Sequence, residues 1–213
     1  MQLFNVLEAS LAAYLLGSIP TGYLVGKLYG KDLRKEGSGN IGATNVVRVL
    51  GKKWGYLVFI VDFLKGSLAV LCAFALAKDS TQREWLALVA AILAILGHNF
   101  PIWLKFRGGK GVATTAGVIL VLLPRLVFIA AAIVWGLVFF TTRYVSLASL
   151  LASIVIPVTC GILYWFGKLS LLFLWISLGI CALVIWRHRS NLTRLYAGTE
   201  SRFIKKNDDK RPS

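Results

Sequence analysis

Seven apolar segments divide this chain, and they constrain its fold more than any other feature. They cover residues 3–25, 56–77, 85–104, 112–123, 126–140, 145–166 and 169–186. Five of them are long enough to cross a hydrocarbon core of about 30 Å at about 1.5 Å per residue, whereas the fourth and fifth are short. Hydrophobic residues make up 57% of the 213 residues, which exceeds the apolar content of a soluble domain. The sequence therefore predicts an all-α, polytopic membrane protein with about seven transmembrane helices, two of them short.

Charges and prolines at the segment ends predict how the helices are separated. Pro124 and Arg125 stand between the two short segments, which favours a tight helical hairpin over one long helix. The first segment has no basic residues before it and only Glu8 as an early charge, so we expect a retained helix and not a signal peptide. One membrane domain is expected over residues 1–203, followed by a polar, disordered tail at 204–213.

The basic residues predict how the chain is inserted. With the N-terminus outside, nineteen Lys and Arg residues lie on the inner side of the membrane and four on the outer side. Cytoplasmic loops are enriched in Lys and Arg, so this imbalance predicts an outer N-terminus and an inner C-terminus. Topology and attraction to anionic membrane lipid then explain the net charge of +15, and nucleic acid is not an expected partner.

Three polar segments fall on the predicted inner side. The first polar segment is KEGSGNIGATNVVRVLG at 35–51, the second is GHNFPIWLKFRGGKGVAT at 97–114, and the third is RHRSNLTRLYAGTESRF at 187–203. The first contains G-x-G-x-x-G, but a dinucleotide site needs a preceding strand, and the charged link YGKDLRK stands there instead. The second imitates a nucleotide-hydrolysing P-loop, but Lys110 is followed by Gly111 where Ser or Thr is required. The sequence therefore excludes both nucleotide motifs.

Both glycine-rich segments nevertheless predict phosphate binding. Glycines let successive backbone N–H groups converge on an anion, and the N-terminus of a following helix adds partial positive charge. Arg48 adds a bidentate fork to the first segment, and Lys110 adds a point charge beside Gly108 and Gly109 in the second. The neutral residues expected to line the first site are Ser38, Gly39, Asn40, Thr44 and Asn45. Two such sites indicate two phosphorylated groups, or one phosphate and its acceptor.

Several polar residues also fit a purely structural role. A lone glycine-rich loop is as often a flexible turn between helices, and only the two loops together with Arg and Lys favour binding. His98, at the inner end of a helix, fits packing or capping as well as chemistry. Ser146 and Ser149 fit either a helix cap or a contact to a substrate hydroxyl. Asp62 and Lys65 share a helix face and are expected to pair, either structurally or in support of the site.

Six stretches of the sequence together resemble one known family. They are LLGSIPTGYL, GSGNIGATNVVRVLGKKWG, DFLKG, GHNFPIWLKFRGGKGVAT, RYVSLAS and RHRSNLTRL, in this order between residues 11 and 203. In these stretches the chain resembles the bacterial acyl-phosphate:glycerol-3-phosphate acyltransferase family, the membrane enzymes called PlsY. Arg107 stands where many members of that family carry Lys, which keeps the charge.

The resemblance implies an acyltransferase of phospholipid synthesis in the bacterial inner membrane, with its active site facing the cytoplasm. It implies transfer of a fatty acyl group from acyl phosphate to sn-glycerol 3-phosphate, giving 1-acyl-sn-glycerol 3-phosphate and phosphate, with no cofactor and no metal. Acyl phosphate has a good leaving group, so positioning and charge stabilisation suffice without a covalent nucleophile. By the resemblance, residues 38–45 line the donor phosphate site. The acceptor phosphate is then held by Arg48, Lys110, Ser149, His188 and Asn191.

The sequence leaves the proton acceptor open between a substrate phosphate and His188. Thioester-using glycerolipid acyltransferases carry H-x-x-x-x-D, whereas Trp103 and Thr193 occupy the Asp position after His98 and His188, which disfavours a thioester donor. A transporter of phosphate or of a phosphorylated metabolite is the main alternative function, because glycines and cations can also line a permeation route. A non-catalytic anchor for anionic lipid would explain the basic tail but not the ordered loops.

Overall fold

The computed structural model describes residues 3–203, and all regular structure in that range is helical, as the apolar segments predict. The chain divides between Pro124 and Arg125 into two compact units, the N-terminal unit and the C-terminal unit. The predicted tail at 204–213 lies outside the described residues. The expectation of one domain over residues 1–203 stays a prediction.

The N-terminal unit holds the first two polar segments, and six α-helices lie among its described residues. These are α1 (Leu3–Ser18), α2 (Thr21–Leu28), α3 (Ala43–Leu50), α4 (Lys52–Leu76), α5 (Ser80–Asn99) and α6 (Val112–Leu122), with a 3-10 turn at Ile102–Leu104. The C-terminal unit holds the third polar segment. Its helices are α7 (Arg125–Thr142), α8 (Val145–Trp165), α9 (Leu171–Arg187) and α10 (Arg189–Tyr196).

Small residues let the helices of the N-terminal unit approach closely. Ala9 and Ala13 of α1 are buried in one cluster with Ala90 and Ala94 of α5. Gly66 of α4 lies so close to the backbone of α6 that a Cβ there would overlap the carbonyl of Thr114. In a membrane, van der Waals packing between small side chains drives helix association, because lipid is as apolar as the helix surface. The packing therefore follows from Ala and Gly at the facing positions.

In the C-terminal unit, α8 packs against both α7 and α9. Ala148, Ile156 and Cys160 of α8 are buried, as are Cys181 and Val184 of α9. The outer surface of α7 is largely exposed and apolar, as expected for a helix that faces lipid.

Five helical segments within residues 3–203 are long and apolar enough to cross a membrane. They are Val6–Leu28, Lys52–Leu76, Ser80–Leu104, Arg125–Thr142 and Val145–Trp165. α9 and α10 form a sixth span only if they are taken together, and they are bent by 59°. α6 has 11 residues and is short, as predicted. The total of about seven spans stays a prediction.

Two sequence-based helix predictions were wrong. The first apolar segment is not one helix, because it breaks between Ser18 and Thr21, where Pro20 lacks a backbone donor and restrains the residue before it. The fifth apolar segment is not short, because α7 has 18 residues. Its C-terminal end extends through Thr141 and Thr142. Their hydroxyls donate to the carbonyls of Leu137 and Val138, both at 2.7 Å, so the two polar side chains have partners within the helix.

Candidate active site

The first polar segment folds around the side chain of Asn45. Asn45 is only 1% exposed, and its Nδ2 donates to the carbonyls of Leu33 at 3.1 Å and Glu36 at 3.0 Å. Its Oδ1 accepts from the backbone N–H of Ser38 at 2.8 Å. Both ends of the amide therefore hold the main chain of the turn. The predicted contact of Asn45 with substrate stays a prediction, while its described contacts stabilise the loop.

Two glycines give this turn its shape. Gly37 and Gly39 have φ angles of 60° and 70°, in the left-handed region that side chains disfavour. A Cβ on Gly37 would also overlap the Asn45 amide, so the close approach to Asn45 requires glycine there. Ser38 and Gly39 are exposed at the top of the turn. The turn thus presents backbone and one hydroxyl to its surroundings.

The short helix α3 continues the first polar segment. The backbone N–H of Gly42 donates to Asn40 Oδ1 at 2.9 Å, and α3 begins at the next residue. Thr44 lies half-buried in the first turn, and Arg48 is exposed one turn later on the same face. The open N–H groups at the start of α3 and the Arg48 guanidinium therefore belong to one element.

The acidic residues beside this segment are paired with cations. Arg34 Nε and Nη2 donate to the two carboxylate oxygens of Asp32 at 2.9 and 2.8 Å, and this side-chain hydrogen bonding lowers the pKa of Asp32 to about 2. Lys31 Nζ lies 3.1 Å from Glu36 Oε2. Because both carboxylates have partners, an anion approaching the turn meets less repulsion.

The second polar segment is fixed to the C-terminal end of α5. The N–H of Gly108 donates to the carbonyl of Asn99, and the N–H of Gly109 to the carbonyl of His98, both at 3.1 Å. These bonds satisfy carbonyls that a helix end leaves open. A Cβ on Gly108 would overlap the His98 carbonyl, and a Cβ on Gly109 would overlap the His98 ring. The loop can approach α5 this closely only because it has no side chain there.

Asn99 is a buried polar residue beside this loop that the sequence did not single out. It has no exposed surface, and neither its Oδ1 nor its Nδ2 has a hydrogen-bond partner within residues 3–203. Its Oδ1 is only 2.8 Å from where a Cβ of Gly111 would lie, and Gly111, with φ of 81°, caps α6. Leaving a buried polar group unpaired costs about 1–3 kcal/mol. The Asn99 amide therefore adds unused hydrogen-bonding capacity beside Lys110 and the first N–H groups of α6.

The third polar segment folds around Glu200, which the sequence analysis left without a role. Glu200 is 8% exposed, and its Oε1 accepts from Ser146 Oγ at 2.7 Å and from Asn191 Nδ2 at 2.6 Å. Its Oε2 accepts from Arg194 Nε at 2.7 Å. Burial by itself raises the pKa of Glu200, but the hydrogen bonds from Ser146, Asn191 and Arg194 outweigh burial and lower it. The only signal in the sequence is one acid among four arginines of this segment.

Two other predicted residues of the C-terminal unit have clear partners. Ser149 is buried, and its Oγ donates to the Val145 carbonyl at 2.7 Å and accepts from Trp135 Nε1 at 3.3 Å. Neither Ser146 nor Ser149 caps α8, whose N-cap residue is Tyr144, so the capping alternative was wrong. His188 ends α9, and its Nδ1 lies 2.8 Å from the Val184 carbonyl. This contact places the ring proton on Nδ1, because a carbonyl only accepts.

The predicted site residues are distributed over both units. Ser38, Gly39, Asn40, Thr44, Asn45, Arg48, Gly108, Gly109 and Lys110 belong to the N-terminal unit, whereas Ser149, His188 and Asn191 belong to the C-terminal unit. A single site that joins these residues stays a prediction. Within residues 3–203, no group of three or more His, Cys, Asp or Glu side chains is placed to hold a metal ion.

These features define an α-helical membrane protein with two glycine-rich loops, each carrying a cation and each followed by a helix. A family model described as glycerol-3-phosphate acyltransferase matches residues 7–198. The chain belongs to this glycerol-3-phosphate acyltransferase family, and it is an acyltransferase.

Individual relatives are similar to this chain along nearly its whole length. A glycerol-3-phosphate acyltransferase of Desulfotalea psychrophila is 47% identical over 197 residues, which cover 92% of this chain and 97% of that protein. The Aquifex aeolicus protein of the same name is 45% identical over 194 residues, covering 90% and 95%.

Solved structures are similar to the chain as well. A crystal structure of PlsY (YgiH), an integral membrane glycerol 3-phosphate acyltransferase in its glycerol 3-phosphate form, has a TM-score of 0.85 and 42% identity, covering 97% of this chain and 99% of that one. The lysophosphatidic acid form has a TM-score of 0.80 at the same 42% identity, covering 93% and 95%. These similarities confirm the predicted family, the enzyme class and the membrane fold. The transporter alternative has no support among these acyltransferases.

Proposed function

We propose that this acyltransferase moves a fatty acyl group from acyl phosphate to the primary hydroxyl of sn-glycerol 3-phosphate. The hydroxyl oxygen attacks the acyl carbon, the bond from that carbon to the phosphate oxygen breaks, and the hydroxyl proton leaves. The products are 1-acyl-sn-glycerol 3-phosphate and phosphate. Because phosphate is a good leaving group, no covalent acyl-enzyme is expected.

The observation that carries this proposal is the pair of glycine-rich turns in the N-terminal unit, each followed by a helix and each bearing a cation. Gly37 and Gly39 shape the first turn, and the first segment carries Arg48. Gly108 and Gly109 shape the second turn, which carries Lys110. We assign the first turn, residues 38–45, to the phosphate of the acyl donor. The glycerol 3-phosphate and lysophosphatidic acid forms of PlsY, at 42% identity, support glycerol 3-phosphate as the acceptor and its acylated form as the product.

We assign the acceptor phosphate to five charged and polar residues. These are Arg48, Lys110, Ser149, His188 and Asn191. The hydroxyl proton passes to a substrate phosphate, with His188 as the alternative acceptor. The alternative is supported by the His188 tautomer, because a proton on Nδ1 makes Nε2 the basic nitrogen of the ring.

Donor choice tests the proposal directly. Purified protein is incubated with labelled glycerol 3-phosphate and, separately, palmitoyl phosphate, palmitoyl-CoA or palmitoyl acyl carrier protein. We expect lysophosphatidic acid only with palmitoyl phosphate, with one phosphate released per acyl group transferred. Comparable rates with palmitoyl-CoA would contradict the proposal. Accumulation of phosphate in proteoliposomes without acyl transfer would favour a transporter.

We place the protein in the bacterial inner membrane, with the N-terminus outside and the active site facing the cytoplasm. Single cysteines that replace Lys52, Arg107 or Ser201 should not react with an impermeant thiol reagent in intact cells, whereas a cysteine that replaces Lys168 should react. The background needs Cys72, Cys160 and Cys181 replaced, because all three are free thiols. Ready labelling at the first three positions would overturn this orientation.

A further inference from the structure

Asp62 and Lys65 form an ion pair inside the N-terminal unit. Both residues are 3% exposed, and Lys65 Nζ lies 2.8 Å from Asp62 Oδ1, which confirms their predicted pairing. Lys65 Nζ also donates to the Ile19 carbonyl at 2.8 Å, and Thr21 Oγ1 donates to Asp62 Oδ1 at 3.0 Å. The charged pair therefore ties α4 to the break between α1 and α2.

A buried ion pair in a membrane helix calls for more than a structural explanation. Desolvating two charges costs about as much as their attraction returns, and apolar residues of similar size often stabilise a protein equally well. Ionisable residues at membrane depth are costly, so their presence points to a functional role.

Asp62 Oδ1 has a further neighbour, the His98 ring. His98 is 6% exposed, and its Nδ1 lies 3.7 Å from Asp62 Oδ1. The separation is too long for a hydrogen bond, but a carboxylate at this distance attracts a proton on Nδ1 and so favours this orientation of the ring. Carboxylates orient histidines in this way when they fix which nitrogen carries the proton.

The other edge of the His98 ring contacts the second polar segment. A Cβ built on Gly109 would overlap His98 Nε2 and would lie 2.8 Å from Cε1 and 3.0 Å from Cδ2. The imidazole therefore lies directly against the Gly109 backbone. The Gly109 N–H also donates to the His98 carbonyl at 3.1 Å, so ring and main chain of one residue both hold the loop. Lys110 is the next residue along the chain.

We propose that Asp62 and His98 are positioning residues for the acyl transfer reaction. Asp62 orients the His98 ring, and the ring supports the Gly108–Lys110 backbone, so that Lys110 is presented to the acceptor phosphate. The inference rests on the proposed function, in which Lys110 binds glycerol 3-phosphate. Asp62 acts only through His98 and needs no contact with substrate.

The same cluster also links the two glycine-rich segments. Thr21, which donates to Asp62, precedes Gly22, and a Cβ on Gly22 would overlap the carbonyl of Ile41 in the first segment. The path from Asp62 to the first segment runs through Thr21 and Gly22, whereas the Lys110 loop touches His98 directly. Loss of the Asp62 carboxylate is therefore expected to affect the Lys110 loop more strongly than the first segment. A displacement of about 1 Å can reduce the rate about 100-fold when a binding group is misplaced.

The test separates acceptor binding from stability. Apparent KM for glycerol 3-phosphate and for palmitoyl phosphate, kcat and the thermal unfolding midpoint are measured for Asp62→Asn, His98→Gln and the double variant. Each single change should raise the glycerol 3-phosphate KM about tenfold or more, with the palmitoyl phosphate KM within about twofold. The double variant should be no worse than the worse single variant, because both act through one contact.

Ser67→Ala is the matched control. Ser67 is also a buried polar residue of α4, at 7% exposure, but it donates to the Gly117 carbonyl at 2.9 Å and not towards His98. The Ser67→Ala variant should have a lower thermal unfolding midpoint but no selective change in the glycerol 3-phosphate KM. Asp62→Asn leaves Lys65 without its charged partner and could therefore prevent folding. In that case the double variant Asp62→Asn, Lys65→Met, which removes both charges, is measured instead of Asp62→Asn.

A second pair of variants tests the contact itself. Gly109→Ala drives a methyl group into the His98 ring, and adding His98→Ala makes room, so the glycerol 3-phosphate KM of the double variant should fall from that of Gly109→Ala to that of His98→Ala. No recovery, together with additive effects of Asp62→Asn and His98→Gln, would overturn the inference.

Lys110→Ala is measured in parallel. If it leaves the glycerol 3-phosphate KM unchanged, the proposed acceptor site fails and takes this inference with it. If it raises that KM while the Asp62 and His98 variants do not, only this inference fails.

Discussion

The first and third polar segments are each folded around one buried side chain, but the two side chains organise different partners. Asn45 is neutral, and all three of its described hydrogen bonds are with backbone groups. Glu200 is anionic, and its three partners are the side chains of Ser146, Asn191 and Arg194. The neutral residue therefore shapes a main-chain turn, and the charged one orients three side chains.

This difference suits the ligands proposed for each segment. A turn that must present backbone N–H groups to a phosphate gains from a neutral centre, because a carboxylate there would repel the anion. In the third segment the carboxylate is covered by three donors, so its charge is compensated while it fixes Asn191. The comparison predicts that substitutions which distort the turn are most harmful in the first segment, and that substitutions which remove the buried charge are most harmful in the third.

Asn45→Ala should have the largest effect. It leaves two carbonyls and one N–H of the turn without their partner, and each unpaired buried group costs about 1–3 kcal/mol. We expect activity to fall by roughly 100-fold or more, measured with palmitoyl phosphate and glycerol 3-phosphate on protein shown to be inserted. Asn45→Asp keeps the acceptor for the Ser38 N–H but replaces the Nδ2 donor with an oxygen that faces the Leu33 and Glu36 carbonyls, so the turn should lose its shape and the variant should also be inactive. Activity near wild type in either variant would break the comparison.

Arg48→Lys and Lys110→Ala should come next. Charge-assisted hydrogen bonds contribute about 1.5–3 kcal/mol, so losing the guanidinium fork or the ammonium should raise the glycerol 3-phosphate KM by about 10- to 100-fold. Lysine is not equivalent to arginine where a planar fork is needed. Arg34→Lys is the control, because Arg34 is exposed beside the same segment and pairs with Asp32. An equal KM change in the control would show that the effect is not specific to the Arg48 guanidinium.

Glu200→Gln should mainly change stability and its pH dependence. The folded pKa of Glu200 lies below its usual value of 4.5, so the carboxylate stabilises the fold above that pH and loses its contribution as the pH falls through the folded pKa. We expect a loss of about 1–3 kcal/mol at neutral pH and a smaller decline of the unfolding midpoint in acid. Glu36→Gln, in an exposed pair with Lys31, should change neither measurement. An unchanged acid response of Glu200→Gln would contradict the charge-centred interpretation.

Ser38→Ala and Asn40→Ala should have the smallest effects. Each removes one neutral polar group, worth about 0.5–1.5 kcal/mol, so the palmitoyl phosphate KM should rise about 2- to 10-fold with little change for glycerol 3-phosphate. The opposite selectivity, combined with a donor-selective defect in Arg48→Lys, would reverse the assignment of the two substrates.

The sequence predicted the parts of this protein that depend on local pattern. Apolar length identified a helical membrane protein, because a span needs about twenty apolar residues wherever it lies. The order of the glycine-rich motifs with their Arg and Lys identified the family, and the pairing of Asp62 with Lys65 followed from helix periodicity. The break at Pro20 was visible as a proline but was missed, because the apolar pattern runs through it.

Only the tertiary structure revealed which polar residues hold these loops. Asn45 reaches back 12 residues to Leu33, Glu200 reaches Ser146 across 54 residues, and His98 lies between Asp62 and Gly109. No local pattern encodes such contacts, because they depend on which helix ends come together when the small residues of the helices pack. The sequence alone therefore determined the membrane class, the family and the chemical character of the loops. Packing decided which side chains were buried to support them, since a polar group can be buried only where a distant partner meets it.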